Sequence, residues 1–149
     1  MNKTLNGLLA AVLTVAGVFA AMDGWSQEGG FRSGAGGLRI KDLQTGQGVA
    51  AQEGMVATIQ FIGWLDDKGA RGREIYNSRA AGRPVSFVVG TDKVMPAWNA
   101  GVIGMRPGGT RMLLVPPALA YGQRGVDDVV PPNAPLMLRI ELISLEESP

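Results

Sequence analysis

The sequence contains no histidine and no cysteine. The commonest general base, the commonest metal ligand and all thiolate chemistry are therefore missing. A serine nucleophile would need a lysine as its base, and the four lysines sit in no such motif. The adjacent acids Asp66/Asp67, Asp127/Asp128 and Glu146/Glu147 read as solvated loop charge, because neighbours on an extended chain point to opposite faces. What remains is an apolar and aromatic set placed at turns: Phe61, Tyr76, Trp98 and Tyr121, with the pairs Val94-Met95 and Val129-Val130. Trp98 stands two residues after Pro96 in VMPAWNAGVIGMRPGG, an apolar run that ends in Pro-Gly-Gly. On periodicity alone such residues are core. Folded over a ligand instead, they would exclude water and bind through shape, a tyrosine hydroxyl and backbone N–H groups.

The segments that must position these residues read mostly as strands. Residues 38–43 begin by alternating, and 55–65 (MVATIQFIGWL) place Met55, Ala57, Ile59, Phe61 and Leu65 on one face. Residues 84–89 set Val85, Phe87 and Val89 to one side, and 110–115 form another apolar strand. In 136–145, Leu138, Ile140 and Leu142 face in while Arg139 and Glu141 face out. Only about 97–104 reads as a helix, with Pro96 suited to the first turn and Gly104 to the stop. The expected fold class is α+β, an antiparallel sheet of about five strands wrapped around one short helix. Residues 46–51 (GQGVAA) match the outline of a dinucleotide fingerprint, but the helix it needs would meet Gly54 within a few residues. A turn between strands is the better reading.

The chain has 149 residues with a formal net charge of +1 and no basic block, so nucleic acid is a poor partner. An apolar run at 8–22 follows Lys3. It is short for a membrane span and suits a signal-peptide core, with small residues near Ala20 for cleavage. Residues 1–22 are thus expected to be a signal peptide or an uncleaved N-terminal anchor, 23–37 a Gly-rich linker, and 38–147 the folded domain. Export, in a bacterium to the periplasm, follows from that leader; an uncleaved leader would instead anchor the chain in the inner membrane.

Five segments in order make a family resemblance: QFIGWL, SRAAGRPVSFVVG, VMPAWNAGVIGMRPGGTR, LLVPPALAYGQRG and VVPPNAPLMLRIELISL. Residues 37–146 resemble an FK506-binding-protein (FKBP-type) peptidyl-prolyl cis-trans isomerase. The resemblance implies an antiparallel sheet around one short helix, no cofactor, no metal, proline-containing polypeptides as substrates, and macrolides of the FK506 type as ligands. It implies Trp98 as the floor under a proline ring, with Phe61 and Leu138 at the sides. Tyr121 would supply wall and a hydroxyl donor, and the Met95 N–H would bind a second carbonyl beside Val94. Val129 and Val130 would overhang the pocket.

The chain departs from the family at one wall. The usual Phe-Asp-Ser-Ser is Ile75-Tyr76-Asn77-Ser78 here. Either Ile75 replaces the Phe and Tyr76 the Asp, or Tyr76 takes the aromatic place and Asn77 the acidic one. The carboxylate is lost in both registers. Val85 stands where an aromatic wall residue can occur, Leu138 where Phe is usual, and Ala81 where a basic residue is common. The loop 66–74 (DDKGARGRE) is longer than in short family members and reads as a solvated hairpin tip, or as cover for the pocket edge. Three activities are compatible with these changes: an isomerase with altered substrate preference, a chaperone-like binder of proline-containing segments, or a module with a vestigial pocket.

Overall fold

Strict alternation over long runs dictates a sheet, and a sheet is what the computed structural model contains. It describes residues 30–149, so the expectations for the leader and for the first part of the linker lie outside the described residues. Within the unit Arg32–Pro149 the strands are β1 (Arg32–Ser33), β2 (Arg39–Gln44), β3 (Val56–Asp67), β4 (Ala70–Asn77), β5 (Val85–Val88), β6 (Thr110–Val115) and β7 (Leu136–Glu146). Two short helices, α1 (Ser78–Ala81) and α2 (Pro96–Val102), interrupt them. The sheet order is β1-β2-β6-β7-β3-β4, with β5 also on β3, and every pairing is antiparallel. The stretch read as linker contributes here: Arg32 and Ser33 pair with Ile40 and Arg39.

The sheet is centred on β3 and β7, paired from Val56↔Glu146 to Leu65↔Leu136. Leu138, Ile140 and Leu142 are buried as their alternation requires, and so are Ala57 and Ile59. Each fully buried Leu or Ile contributes about 1.5–3 kcal/mol of transfer free energy. Against them lies α2, which buries Ala97, Trp98, Gly101 and Val102. Pro96 occupies its first turn, where the missing N–H costs nothing. Gly101 permits the close approach, since a Cβ there would fall 2.5 Å from Leu113 Cδ1.

The C-terminal carbonyls of α2 are satisfied by a buried cation. Arg111 donates to the carbonyl oxygens of Gly101 and Ile103 at 3.0 and 2.6 Å, the charge sign that a helix C-terminus favours. Its Nε donates to Asp42 Oδ1 at 2.6 Å, and Arg32 reaches the other carboxylate oxygen.

Two sequence readings gain definition. The segment 66–74, read as a solvated hairpin tip, is the end of a hairpin whose strands continue almost to the turn: β3 runs to Asp67 and β4 starts at Ala70. Only Lys68 and Gly69 turn, both with positive φ (53° and 88°), as a type I′ hairpin requires. Gly69 N–H donates to Asp66 Oδ1 at 2.6 Å. The strand is illegible in sequence because most of β4 is exposed, so its residues carry no apolar alternation. The helix, read as about 97–104 with Pro96 in its first turn, spans Pro96–Val102.

Segment 46–51 is a connection between β2 and β3. Gln47 N–H donates to Pro107 O and Ala51 N–H to Met105 O. Gly46 lies so close to the Arg106 and Pro107 carbonyls that no Cβ would fit, so this glycine serves backbone packing.

Candidate active site

The edge of β3 is shared by two partners. β5 pairs with its first residues, Val56 to Ile59, and β4 with Ile62 to Asp67. Between them the neighbouring strand is broken by α1. The Phe61 N–H faces this break and donates to Ser78 Oγ at 2.8 Å, while the Ser78 hydroxyl donates to Gln60 Oε1. Asn77 caps α1, its Oδ1 accepting from the Arg79 and Ala80 N–H groups at 3.1 and 3.2 Å. Gly82, in the left-handed region at φ 67°, ends the helix.

Beside this break opens a cavity of about 270 Å³. β3 contributes Phe61 and Gly63, β4 contributes Ile75 and Tyr76, and β7 contributes Leu136 and Leu138. Met95, the N-cap of α2, and Trp98 in its first turn form another side. Tyr121 follows the 3-10 turn Pro117–Leu119, and Val126, Val129 and Val130 come from the loop before β7. Trp98 is 7% exposed, whereas Tyr76 and Tyr121 are 40% and 42% exposed. The rings form a series. Phe61 meets Trp98 edge to face with centroids 4.4 Å apart, and Tyr76 stacks on Phe61 at 5.0 Å.

Nine of the eleven residues expected at the site line this one cavity: Phe61, Ile75, Tyr76, Met95, Trp98, Tyr121, Val129, Val130 and Leu138. Val85 and Val94 do not; both are partly buried and pack against the hydrophobic core. Val85 pairs with Ile59 on the far side of the α1 break, which separates it from the wall built by β4. Gly63, Val126 and Leu136 were not singled out from sequence. Leu136 shares the inward alternation of Leu138 and was readable. Gly63 leaves room, since a Cβ there would lie 3.2 Å from Leu138 and 3.3 Å from Ile75. Val126 enters through its bridge to Val130.

The altered wall is also defined. Tyr76 supplies its aromatic ring, and Asn77 turns to the backbone of α1. Among the described residues, no carboxylate, guanidinium or ammonium lines the cavity. The side chains with polar atoms among its lining residues are Tyr76, Trp98 and Tyr121. Such a lining can desolvate an apolar ring and hold adjoining carbonyls, while it presents no nucleophile or proton-transfer pair of the usual kinds.

Comparison with known proteins agrees with this geometry. Residues 47–143 match the FKBP-type peptidyl-prolyl cis-trans isomerase family. The FK506-binding protein of Neisseria meningitidis serogroup B is 36% identical over 112 residues, covering 75% of this chain and 99% of that protein. FK506-binding protein 4 of Rhizopus delemar is 34% identical over 74% of this chain, yet the match spans only 28% of its length. The crystal structure of FkpA from Escherichia coli superposes with a TM-score of 0.71 at 29% identity, covering 99% of this chain and 72% of that one. With five ordered motifs, the sheet and helix arrangement and a matched stretch of this extent, the chain belongs to the FKBP-type peptidyl-prolyl cis-trans isomerases.

Proposed function

We propose that the protein catalyses rotation about X-Pro bonds of polypeptides by binding the proline in the cavity over Trp98. The observation that carries this reading is the convergence of nine expected residues on one apolar cavity with Trp98 buried at its base. A prolyl amide rotates over about 18–20 kcal/mol, taking tens of seconds or more unaided. Twisting breaks the amide resonance, so the rotating state is less zwitterionic than the planar one. An apolar enclosure destabilises the planar amide relative to the twisted one. A reduction of about 5 kcal/mol would accelerate rotation by nearly four decades, and it needs no nucleophile, metal or proton shuttle.

In this reading Phe61 and Leu138 hold the ring laterally, with Ile75 and Tyr76 completing the wall. The Tyr121 hydroxyl donates to one substrate carbonyl. The Met95 N–H, which has no acceptor among the described residues, donates to another. Val129 and Val130 overhang the bound segment. FK506-type macrolides occupy the same cavity. The substrates are exported polypeptides in folding, a reading that rests on the apolar run at 8–22.

A protease-coupled or refolding assay on prolyl peptides with the full chain tests this. Absence of acceleration at micromolar protein would overturn it. One observation favours a second reading: the lining holds no carboxylate. Aggregation suppression without isomerisation would identify a binding module instead.

A further inference from the structure

The loop that overhangs the cavity is largely bonded to itself. Gly125 N–H donates to Tyr121 O, Val126 N–H to Val130 O, Val129 and Val130 N–H to Val126 O, and Asn133 N–H to Gly122 O. Between Gln123 and Pro132, one hydrogen bond reaches it from a distant element among the described residues: Arg73 Nη2 donates to Val129 O at 2.8 Å. Arg73 lies on β4, two residues before Ile75 and three before Tyr76. The same strand therefore lines the cavity and grips the lip.

The extended hairpin makes this reach possible. β3 and β4 continue to a two-residue turn at Lys68 and Gly69, and the arm is held in shape by pairing of Asp66 with Arg71 and by the Arg71 guanidinium 4.8 Å from the centre of the Trp64 ring. Next to the turn, Asp66 N–H donates to Pro135 O, just after the lip. The arm thus pins the lip segment at Pro135 through backbone and at Val129 through Arg73. Val130 is buried in the hydrophobic core and anchors one end of the lip, whereas Val129 is 41% exposed and contributes to the cavity, so little packing fixes the tip around Val129.

We infer that Arg73 is a positioning residue of the isomerase site, latching the Val126–Val130 lip over the cavity so that substrate meets a preformed overhang. The inference rests on the proposed use of this cavity for prolyl segments. Without the latch the tip of the lip around Val129 populates displaced arrangements, and apparent affinity falls by the fraction that remains competent. Once substrate is seated, the chemistry over Trp98 is unchanged. Arg73 touches neither the ring nor the rotating bond, so its effect belongs in KM and not in kcat.

The experiment compares the wild-type full chain with Arg73→Ala and Arg73→Lys. Amide hydrogen exchange at residues 126–130 is expected to be several-fold faster in Arg73→Ala, with a melting temperature within about 2 °C of wild type because the group is exposed. KM for a prolyl tetrapeptide is expected to rise about 3–10-fold at a kcat within twofold, the scale of one charge-assisted hydrogen bond. Arg73→Lys, which can still donate to Val129 O, should recover much of both. Unchanged exchange at 126–130 in Arg73→Ala would overturn the latch, and so would a fall in kcat at constant KM. If the wild-type protein isomerises nothing, the proposed function falls, and the latch is then judged by the exchange rates alone.

Discussion

The ring of Tyr76 lies nearly parallel to that of Phe61, with centroids 5.0 Å apart and an interplanar angle of 20°. The two residues meet because Gly63 pairs with Tyr76 across β3 and β4, with a bulge just beyond, before Trp64 pairs with Glu74. Phe61 in turn meets Trp98 edge to face. An aromatic surface therefore runs from the buried indole to the half-exposed phenol at the rim. Where the family usually places a carboxylate, this wall relies on ring area.

The ring of Tyr76, and not its hydroxyl, should thus matter. Tyr76→Phe is expected to keep kcat/KM within about twofold. Tyr76→Ala loses a stacked pair worth about 0.5–1.5 kcal/mol, a two- to tenfold fall. Peptide isomerisation kinetics on both variants check this, and equal losses would show that the hydroxyl carries the effect.

Trp98 and Tyr121 should separate activity from stability. Trp98→Ala removes a buried indole and is expected to cost about 3–5 kcal/mol of stability along with most activity. Tyr121 is substantially exposed, so Tyr121→Ala should cost under about 1 kcal/mol in stability yet lower kcat/KM at least tenfold. Urea titration beside the kinetic assay distinguishes the two, and a Tyr121→Ala protein as active as Tyr76→Phe would contradict the assigned role.

Ser78 is wholly buried and bridges the Phe61 N–H to Gln60. Ser78→Ala strands a backbone donor at the strand break, and the expected loss is about 1–3 kcal/mol. Because the orphaned N–H belongs to a wall residue, kcat/KM should fall as well. Ser78→Thr, which keeps the hydroxyl, should recover part of the activity, as steady-state kinetics can show.

Acid should weaken the fold through Asp42. Burial tends to raise its carboxyl pKa, but hydrogen bonding and charge from Arg111, then from Arg32, hold it below the ordinary 3.8. A carboxyl depressed in the folded state stabilises at pH above its unfolded value. That contribution disappears as pH falls from about 4 through the lower folded value. Asp42→Asn should remove this part of the acid dependence and cost about 1–2 kcal/mol at neutral pH, a modest figure because the carboxyl side is 43% exposed. Urea unfolding from pH 7 to pH 2.5 on both proteins measures it, and coincident slopes below pH 4 would refute the linkage.

The strands that face the core were legible because a buried face imposes period-two alternation, as Leu138, Ile140 and Leu142 show. The helix start was legible because a helix tolerates Pro96 in its first turn and not further in. Ordered motifs disclosed the family, and with it Trp98 and its neighbours. β4 was not legible, since an exposed edge strand is under no pressure to alternate and DDKGARGRE reads as loop. Nor could sequence tell Val85 and Val94 from true lining residues. All are apolar; the α1 break sets Val85 apart from the β4 wall, and Val94 packs against the core just before α2. Contacts between residues distant in the chain were invisible for the same reason. Arg73 and Val129 lie 56 positions apart, and Asp42 and Arg111 lie 69 apart. By itself the sequence determined which residues seek burial and which turns are possible. The tertiary structure alone decided which of them share a cavity, because strand pairing and the placement of one strand break fix the geometry, and neither is encoded locally.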